Sequence, residues 1–204
     1  MAALDCLERA RLLVEPALEE AVDRLCPDLR LPARYHFGWD EHTGSPAGVG
    51  AGKGLRPTLA LLSAEAVGAP AEVGVPGAVA VELVHNFSLV HDDIIDGDTE
   101  RRHRATVWSA FGVDDAVISG DALHTLAFQV LLDDPTPERV VAPPRLVAAP
   151  AALIAGQAAD VAVGGRHGVG RAAGAEGGIG DGVHHSVGGR RMDGASDRRP
   201  DRGA

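Results

Sequence analysis

The sequence predicts an all-α protein, and three features of its composition support that fold class. Hydrophobic residues make up 45% of 204 residues, enough for one substantial core. Aromatic residues are only 3%, so the side chains that favour strands are scarce. Alanine, leucine and valine dominate the first three quarters of the chain, and this balance favours helices packed on helices.

The first predicted element is an amphipathic helical region. From Leu4 to Leu25, apolar residues recur at helical spacing among Glu, Arg and Asp. Because proline lacks a backbone N–H, we expect one or two helices here, broken or bent near Pro16.

The remaining elements alternate between Gly-rich connections and apolar helical segments. Residues 36–54 are rich in Gly and turn formers, which predicts a loop that leads into a helix beginning LRPTLALL. A further connection runs from Gly68 to Gly77. The later helices are predicted at Ala78–Ile95, Asp115–Leu132 and Arg145–Val163, with a turn at Gly97 and a polar arm to about Thr106 after the first of them.

The character of the chain changes after Val163. Residues 164–204 contain no leucine or phenylalanine and are rich in Gly, Arg and Ala, so they cannot build a core. We therefore divide the chain into a folded part, 1–163, and a tail, 164–204. By composition alone, a native disordered tail and a shifted reading frame remain open.

Charge and cysteine content exclude several classes of protein. A net charge of −10 argues against nucleic acid or an anionic membrane as the main partner. The N-terminus does not resemble a signal peptide, and no stretch appears long enough in uninterrupted apolar residues to span a membrane. Cys6 and Cys26 show no metal-binding spacing and favour a reducing compartment. We expect a cytoplasmic protein with no stable membrane insertion.

The segment FSLVHDDIIDGDTERR, residues 87–102, contains five carboxylates followed by two arginines. Asp92 and Asp96 lie one helical turn apart on one face, with Asp93 beside them. Their charges repel each other, and the C-terminal end of a helix is unfavourable for anions. A solvated acidic helix end is one interpretation, but the apolar residues before it favour carboxylates at the rim of a pocket.

A magnesium and diphosphate site would account for this charge pattern. Carboxylate oxygens are hard ligands, and Mg²⁺ is usually held by one or two carboxylates together with substrate phosphates. Mg²⁺ bridging these carboxylates to a diphosphate would neutralise both anions. Arg101 and Arg102 would make bidentate contacts with phosphate oxygens.

A second, cationic cluster precedes a helix. Lys53 is the only lysine of the chain, and with Arg56 and the helix N-terminal amides it could hold an anion. The spacing does not match a nucleotide-binding P-loop. His85 lies two turns before Asp92 on the same helix face, and geometry alone leaves it as either a core histidine or a phosphate ligand.

Four segments together resemble one family. GKGLRP, VELVHNFSLVHDDIIDGDTERRHRATVW, SGDAL and GQAAD occur in an order similar to that of the trans-isoprenyl diphosphate synthases, the polyprenyl synthetase family. The resemblance covers roughly residues 30–163, and the longest segment looks like bacterial geranylgeranyl diphosphate synthases. It implies an all-helical homodimer that uses Mg²⁺ to condense isopentenyl diphosphate with an allylic diphosphate.

The resemblance also implies roles for individual residues. Asp92 and Asp96 would ligate Mg²⁺ with support from Asp93, and Arg101 would contact the allylic diphosphate. The diphosphate of isopentenyl diphosphate would be held by Lys53, Arg56, His85 and Arg102.

The resemblance implies further positions beside the metals and along the product. Gln157 and Asp160 of GQAAD match a position beside the metal site, and Gln157 is a predicted substrate contact. Phe87 matches a bulky residue that limits chain length, and the small Ser88, one turn below Asp92, would leave the channel open. We predict a geranylgeranyl product.

Two motifs of the family are missing downstream of GQAAD. Neither a Lys-Thr pair nor a second aspartate-rich motif follows, so a frame shift or truncation is favoured over a native tail, and impaired turnover is expected. A noncatalytic subunit that pairs with an intact synthase is the alternative. A nucleic-acid binder using RRHR is disfavoured by the net acidity.

Overall fold

The computed structural model describes residues 3–47, 54–136 and 139–167, and the described elements are almost entirely helical. The helices are α1 (Ala3–Asp23), α2 (Pro27–Phe37), α3 (Leu55–Ala66), α4 (Val75–Asp96), α5 (Val107–Phe111), α6 (Val113–Leu132) and α7 (Ala142–His167). A 3₁₀ turn at Ala71–Gly74 precedes α4, and a two-stranded antiparallel hairpin, β1 (Glu100–Arg101) and β2 (Arg104–Ala105), follows it. The all-α prediction is confirmed.

The sequence prediction was wrong at Pro16. α1 continues through this residue without a break. Pro16 lies on the exposed side of the helix, so the carbonyl that loses its hydrogen-bond donor can bond to water, and packing of the opposite face holds the helix together. The next helix, α2, was not predicted separately.

The main core lies where α4 packs against its neighbours. α4 packs most extensively on α6, and it also contacts α1 and α3. Leu83 of α4 and Leu123 of α6 are completely inaccessible to solvent. Burial of such leucine side chains stabilises the fold by about 1.5–3 kcal/mol each. The core therefore holds α4 rigidly between the elements that surround it.

A compact polar network attaches the hairpin to α2. The Arg104 guanidinium donates to the carbonyl oxygens of Tyr35 and Asp40 at 3.0 and 2.8 Å. The Tyr35 hydroxyl donates to the Ala105 carbonyl at 2.9 Å. These bonds fix the position of the residues at the hairpin turn.

The chain divides into two units, residues 1–159 and 160–204. The first unit contains the core. The second is described only over residues 160–167, which are helical. The rest of the predicted tail lies outside the described residues.

Two helical stretches, Ala71–Asp96 and Ala142–Val163, are long and apolar enough to span a membrane by length and composition alone. Both stretches contain charged residues, among them Glu82 and Arg145, so neither is an uninterrupted apolar run. The first stretch includes α4, and core helices commonly pass this test.

Candidate functional site

Three of the predicted cationic residues line one cavity of about 400 Å³. Arg56 enters it from the first turn of α3, His85 from α4, and Arg102 from the hairpin turn. We call it the cationic cavity, and α1 forms its other wall with the apolar Val14 and Leu18 and the ion pair of Arg11 and Glu15. Lys53 lies outside the described residues.

Of the three arginines that line the cationic cavity, Arg11 is paired with Glu15, whereas Arg56 and Arg102 form no ion pair within the described residues. Over the part of the chain that the structure describes, ion pairs with carboxylates engage Arg9, Arg11, Arg24, Arg34, Arg101, Arg104 and Arg139. None of these pairs includes Arg56 or Arg102. Two such guanidinium groups lining one cavity form a binding site for an anion with several oxygens.

Arg102 adopts an unusual backbone conformation. Its φ is 53° and that of His103 is 63°, the pattern of a two-residue hairpin turn that normally selects Asn and Gly. The left-handed region costs an ordinary residue roughly 1–2 kcal/mol. The hydrogen bonds of Arg104 and Tyr35 hold the turn in place, so the strained geometry places Arg102 at the cavity.

His85 is electrically neutral at physiological pH. Burial, together with the charges of Arg56 and Arg102, lowers the pKa of His85 to about 4. A neutral imidazole can donate one hydrogen bond and accept another. An arriving anion would offset the two guanidinium charges and favour the protonated ring.

The cationic cavity also contains an acidic residue that the sequence analysis missed. Glu82 lines it together with Asn86. The Asn86 side-chain amide donates to the Glu82 backbone carbonyl at 2.8 Å and lies 3.5 Å from one carboxylate oxygen. Its Oδ1 lies 3.0 Å from Nε2 of His36 on α2. The spacing of three residues between Glu82 and His85 was the available signal, because it places both on one helix face.

The predicted metal ligands are available at the C-terminal end of α4. Within the described residues, no ion pair or side-chain hydrogen bond engages Asp92 or Asp96, and Asp96 is exposed. Burial and the neighbouring charge of Asp96 raise the pKa of Asp92. Throughout the described chain, no group of three or more His, Cys, Asp or Glu side chains is arranged to hold a metal. The chain alone therefore presents an open pair of carboxylates.

Asp93 occupies a different environment from its neighbours. Its side chain is 2% exposed, and Arg101 donates to it from Nε at 2.9 Å and from Nη2 at 2.6 Å. Arg101 thus uses two of its three nitrogens to neutralise Asp93. The predicted contact between Arg101 and an allylic diphosphate would use the remaining N–H groups, those of Nη1 and the second one of Nη2.

The two predicted chain-length residues are buried against other side chains. Phe87 packs against His91 and against His124 of α6, with ring centroids 5.1 and 4.7 Å apart. Ser88 donates to the carbonyl oxygen of His85 at 2.8 Å. Neither lines the cationic cavity. His124 is a contact of Phe87 that sequence reasoning missed, because the two residues lie on different helices.

Gln157 lies on α7 and is half-buried, but it does not line the cationic cavity. Asp160, predicted beside it, belongs to the second unit of the chain.

One face of α4 connects the two charged groups. Glu82, His85, Leu89, Asp92 and Asp96 follow one another at spacings of three and four residues, and none of them is fully buried. We call this face the open stripe. At 1.5 Å per residue, His85 and Asp92 are separated by about 10 Å along the axis. The cationic cavity and the acidic pair are therefore adjacent sites on one rigid helix.

Comparison with known proteins places this chain in one family. Residues 47–169 match the polyprenyl synthetase family, so the chain belongs to that family of trans-isoprenyl diphosphate synthases. The crystal structure of polyprenyl synthetase from Streptomyces coelicolor A3(2) superimposes with a TM-score of 0.77 at 55% identity, covering 79% of this chain and 48% of that one.

Two relatives from Mycobacterium tuberculosis (strain ATCC 25618 / H37Rv) have different names. The chain is 46% identical over 159 residues to a (2E,6E)-farnesyl diphosphate synthase, which covers 78% of this chain and 44% of the relative. It is 45% identical over 125 residues to a geranylgeranyl diphosphate synthase, covering 61% of this chain and 36% of the relative. The chain spans less than half the length of these relatives.

Proposed function

We propose that this protein binds isopentenyl diphosphate and an allylic diphosphate and takes part in their Mg²⁺-dependent condensation. The observation that carries the proposal is the cationic cavity, where Arg56 and Arg102 stand without carboxylate partners among the described residues. The acidic pair Asp92 and Asp96 lies on the same helix face. One chain thus presents the cationic cavity for one diphosphate. Beside it lies the acidic pair, which would bind a cation and, through the cation, a second diphosphate.

The acidic pair fits a magnesium ion by its chemistry. Asp92 and Asp96 provide hard carboxylate oxygens one turn apart, and the structure leaves both without partners within the described residues. Mg²⁺ commonly takes only one or two carboxylates and completes its shell with water and phosphate. When bound, the metal would neutralise the diphosphate that leaves the allylic substrate.

The side chains of the cationic cavity would hold isopentenyl diphosphate. Arg56 and Arg102 would bind the diphosphate oxygens, and His85 would donate a hydrogen bond from its neutral ring. Lys53 remains a proposed ligand. The remaining N–H groups of Arg101 are the proposed contact to the allylic diphosphate, and Gln157 remains a proposed substrate contact.

In the proposed reaction, the allylic carbon–oxygen bond breaks and a carbon–carbon bond forms to the double bond of isopentenyl diphosphate. One proton is then lost. The product keeps the diphosphate that was bound in the cationic cavity. The protein acts by positioning both diphosphates on α4 and by stabilising their charge.

We propose a geranylgeranyl product. The named relatives include farnesyl and geranylgeranyl diphosphate synthases, so similarity supports a short-chain product of either length. We propose that the small Ser88 leaves the product channel open and that Phe87 limits chain length.

The direct test uses the full 204-residue chain with isopentenyl diphosphate, farnesyl diphosphate and Mg²⁺. We expect slow chain elongation, in keeping with the impaired turnover expected from the sequence. The substitutions Arg56→Gln and Arg102→Gln should each raise KM for isopentenyl diphosphate roughly tenfold or more, since charge-assisted bonds of about 1.5–3 kcal/mol are lost. Arg30→Gln, outside the cavity, is the control. Equal KM values in all variants would contradict the proposal.

A noncatalytic partner subunit is the second candidate. It is favoured by α7, where Val147, Leu153 and Ile154 are each about half-exposed. Exposed apolar side chains of this kind mark association surfaces. Co-purification with an intact family member and no elongation by the chain alone would support this candidate.

We also propose a homodimer and a cytoplasmic location. Light scattering of the purified chain would test the homodimer. Fractionation of cells would test the cytoplasmic location.

A further inference from the structure

The cationic cavity contains a carboxylate that is not needed to hold a diphosphate. Glu82 lines the cavity with Arg56, His85 and Arg102. Because a carboxylate repels phosphate oxygens, its presence at an anion site calls for a physical explanation.

Structural stabilisation does not explain Glu82. Over the described residues, its carboxylate forms no ion pair, and its one side-chain hydrogen bond, from Asn86, is long at 3.5 Å. Asn86 is held by the stronger bond to the Glu82 backbone carbonyl at 2.8 Å, which any residue at position 82 would provide. The carboxylate is therefore dispensable for the contact between α2 and α4.

The electrostatic surroundings connect Glu82 to the arginines. Burial raises the pKa of Glu82, while the charges of Arg56 and Arg102 and the amide of Asn86 act in the opposite direction. The charged groups that face this cavity are Arg56 of α3, Arg102 of the hairpin, and Arg11 with Glu15 of α1, which are paired with each other at 3.4 Å. Within the described residues, Glu82 is thus a carboxylate without an ion pair beside two guanidinium groups, Arg56 and Arg102, that also have none.

We propose that Glu82 limits the affinity of the cationic cavity for diphosphate, so that the elongated product can leave it. This inference rests on the proposed function. In that reaction the product retains the diphosphate of isopentenyl diphosphate, which must leave the cavity before another isopentenyl diphosphate can bind. A fixed negative charge beside the arginines weakens the hold on that group and speeds its release.

The test measures binding of inorganic pyrophosphate to the full chain by calorimetry in EDTA, so that metal-dependent binding at the acidic pair does not contribute. Glu82→Gln keeps the shape and the acceptor for Asn86 but removes the charge. We expect its Kd to fall about threefold to tenfold, because one like charge is removed from a half-buried site.

A matched control separates this local effect from net charge. Glu20→Gln removes the same unit charge from an exposed position on α1 that does not line the cavity. Its Kd should equal that of the wild type at 0.15 M salt, where distant surface charges are screened. An unchanged or higher Kd for Glu82→Gln would overturn the proposal.

Two further measurements address a variant that fails to fold and separate the role of Glu82 from the proposed function. If Glu82→Gln lacks the helical circular dichroism of the wild type, Glu82→Ala removes the same charge and should shift the Kd in the same direction. Arg56→Gln and Arg102→Gln must weaken binding. If they do not, the proposed function itself fails, whereas weaker binding in these variants without tightening in Glu82→Gln refutes only the role of Glu82.

With both substrates present, Glu82→Gln should lower KM for isopentenyl diphosphate and also lower kcat, with a larger share of short products. A purely structural role for Glu82 would instead lower kcat without lowering KM.

Discussion

The open stripe and the buried side of α4 carry the same kinds of side chain in different surroundings. Asp92 and Asp96 on the stripe have no partner within the described residues, whereas Asp93 is inaccessible and paired with Arg101. His85 on the stripe faces the arginines of a cavity, whereas Phe87 is buried against His124. Neighbouring positions on one helix thus divide between side chains that are open to a ligand and side chains that hold the fold.

This difference shows how an acidic helix end can be tolerated. Three aspartates at the C-terminal end of α4 oppose the helix dipole. The protein neutralises one of them with an arginine from the hairpin and leaves two for an external cation. The motif therefore combines a structural aspartate with a pair that, in the proposed function, a bound cation would stabilise.

Among the substitutions that test the two sides of α4, Phe87→Ala should change the free energy of unfolding most. Removing a buried aromatic ring from the α4–α6 interface should lower the free energy of unfolding by about 3–5 kcal/mol, measured by urea denaturation. If the variant turns over, its products should be longer than those of the wild type. Phe87→Leu, which keeps most of the volume, is the control, and a product length unchanged in Phe87→Ala would remove Phe87 from the set of chain-length residues.

Asp93→Asn should give the next largest effect. The substitution leaves the Arg101 guanidinium without its counter-charge, and because Arg101 is 32% exposed we expect a loss of about 2–4 kcal/mol, less than for a fully buried pair. Asp92→Asn is the matched control on the open stripe. It should change the unfolding free energy by less than about 0.5 kcal/mol, since no ion pair is lost. Equal losses of unfolding free energy in the two variants would contradict the claim that Asp93 stabilises the fold and Asp92 does not.

A pH series gives the smallest expected effect and isolates the contact between α2 and α4. Burial lowers the pKa of His36 to about 4, so the folded state keeps this ring neutral while the unfolded chain protonates it near pH 6.5. The unfolded state then binds more protons between those two values. Stability should fall as the pH drops from about 6.5 to 4, with this histidine contributing up to about 1.4 kcal/mol per pH unit.

His36→Gln should flatten this part of the profile, as measured by urea denaturation at pH 7, 6 and 5. Burial also lowers the pKa of His85 and of His124, so these two histidines contribute to the slope that remains. A profile identical to that of the wild type would show that His36 is accessible to protons in the folded state.

Local periodicity was sufficient to predict much of the fold. The helix predicted at Ala78–Ile95 is α4 at Val75–Asp96, and the one predicted at Asp115–Leu132 is α6 at Val113–Leu132. The alignment of His85 and Asp92 on one face also followed from helical spacing. Helices of this length make such patterns reliable because the apolar face must meet the core.

The contacts that define the site could not be predicted in this way. The pairing of Asp93 with Arg101 depends on a hairpin that folds back on α4, and the packing of Phe87 on His124 joins two helices. The relevance of Glu82 could not be predicted either, because it depends on Arg56 and Arg102, which line the same cavity and form no ion pair within the described residues. Pro16 was misinterpreted because the prediction did not include the packing that holds α1 together.

The central claim is that Asp92 and Asp96 hold a divalent cation that binds diphosphate. The most direct measurement is calorimetric binding of inorganic pyrophosphate to the full chain with and without Mg²⁺, compared with the double variant Asp92→Asn and Asp96→Asn. We predict that Mg²⁺ tightens binding to the wild type by about tenfold or more and that the double variant loses this effect. An equal Mg²⁺ effect in both proteins would contradict the account.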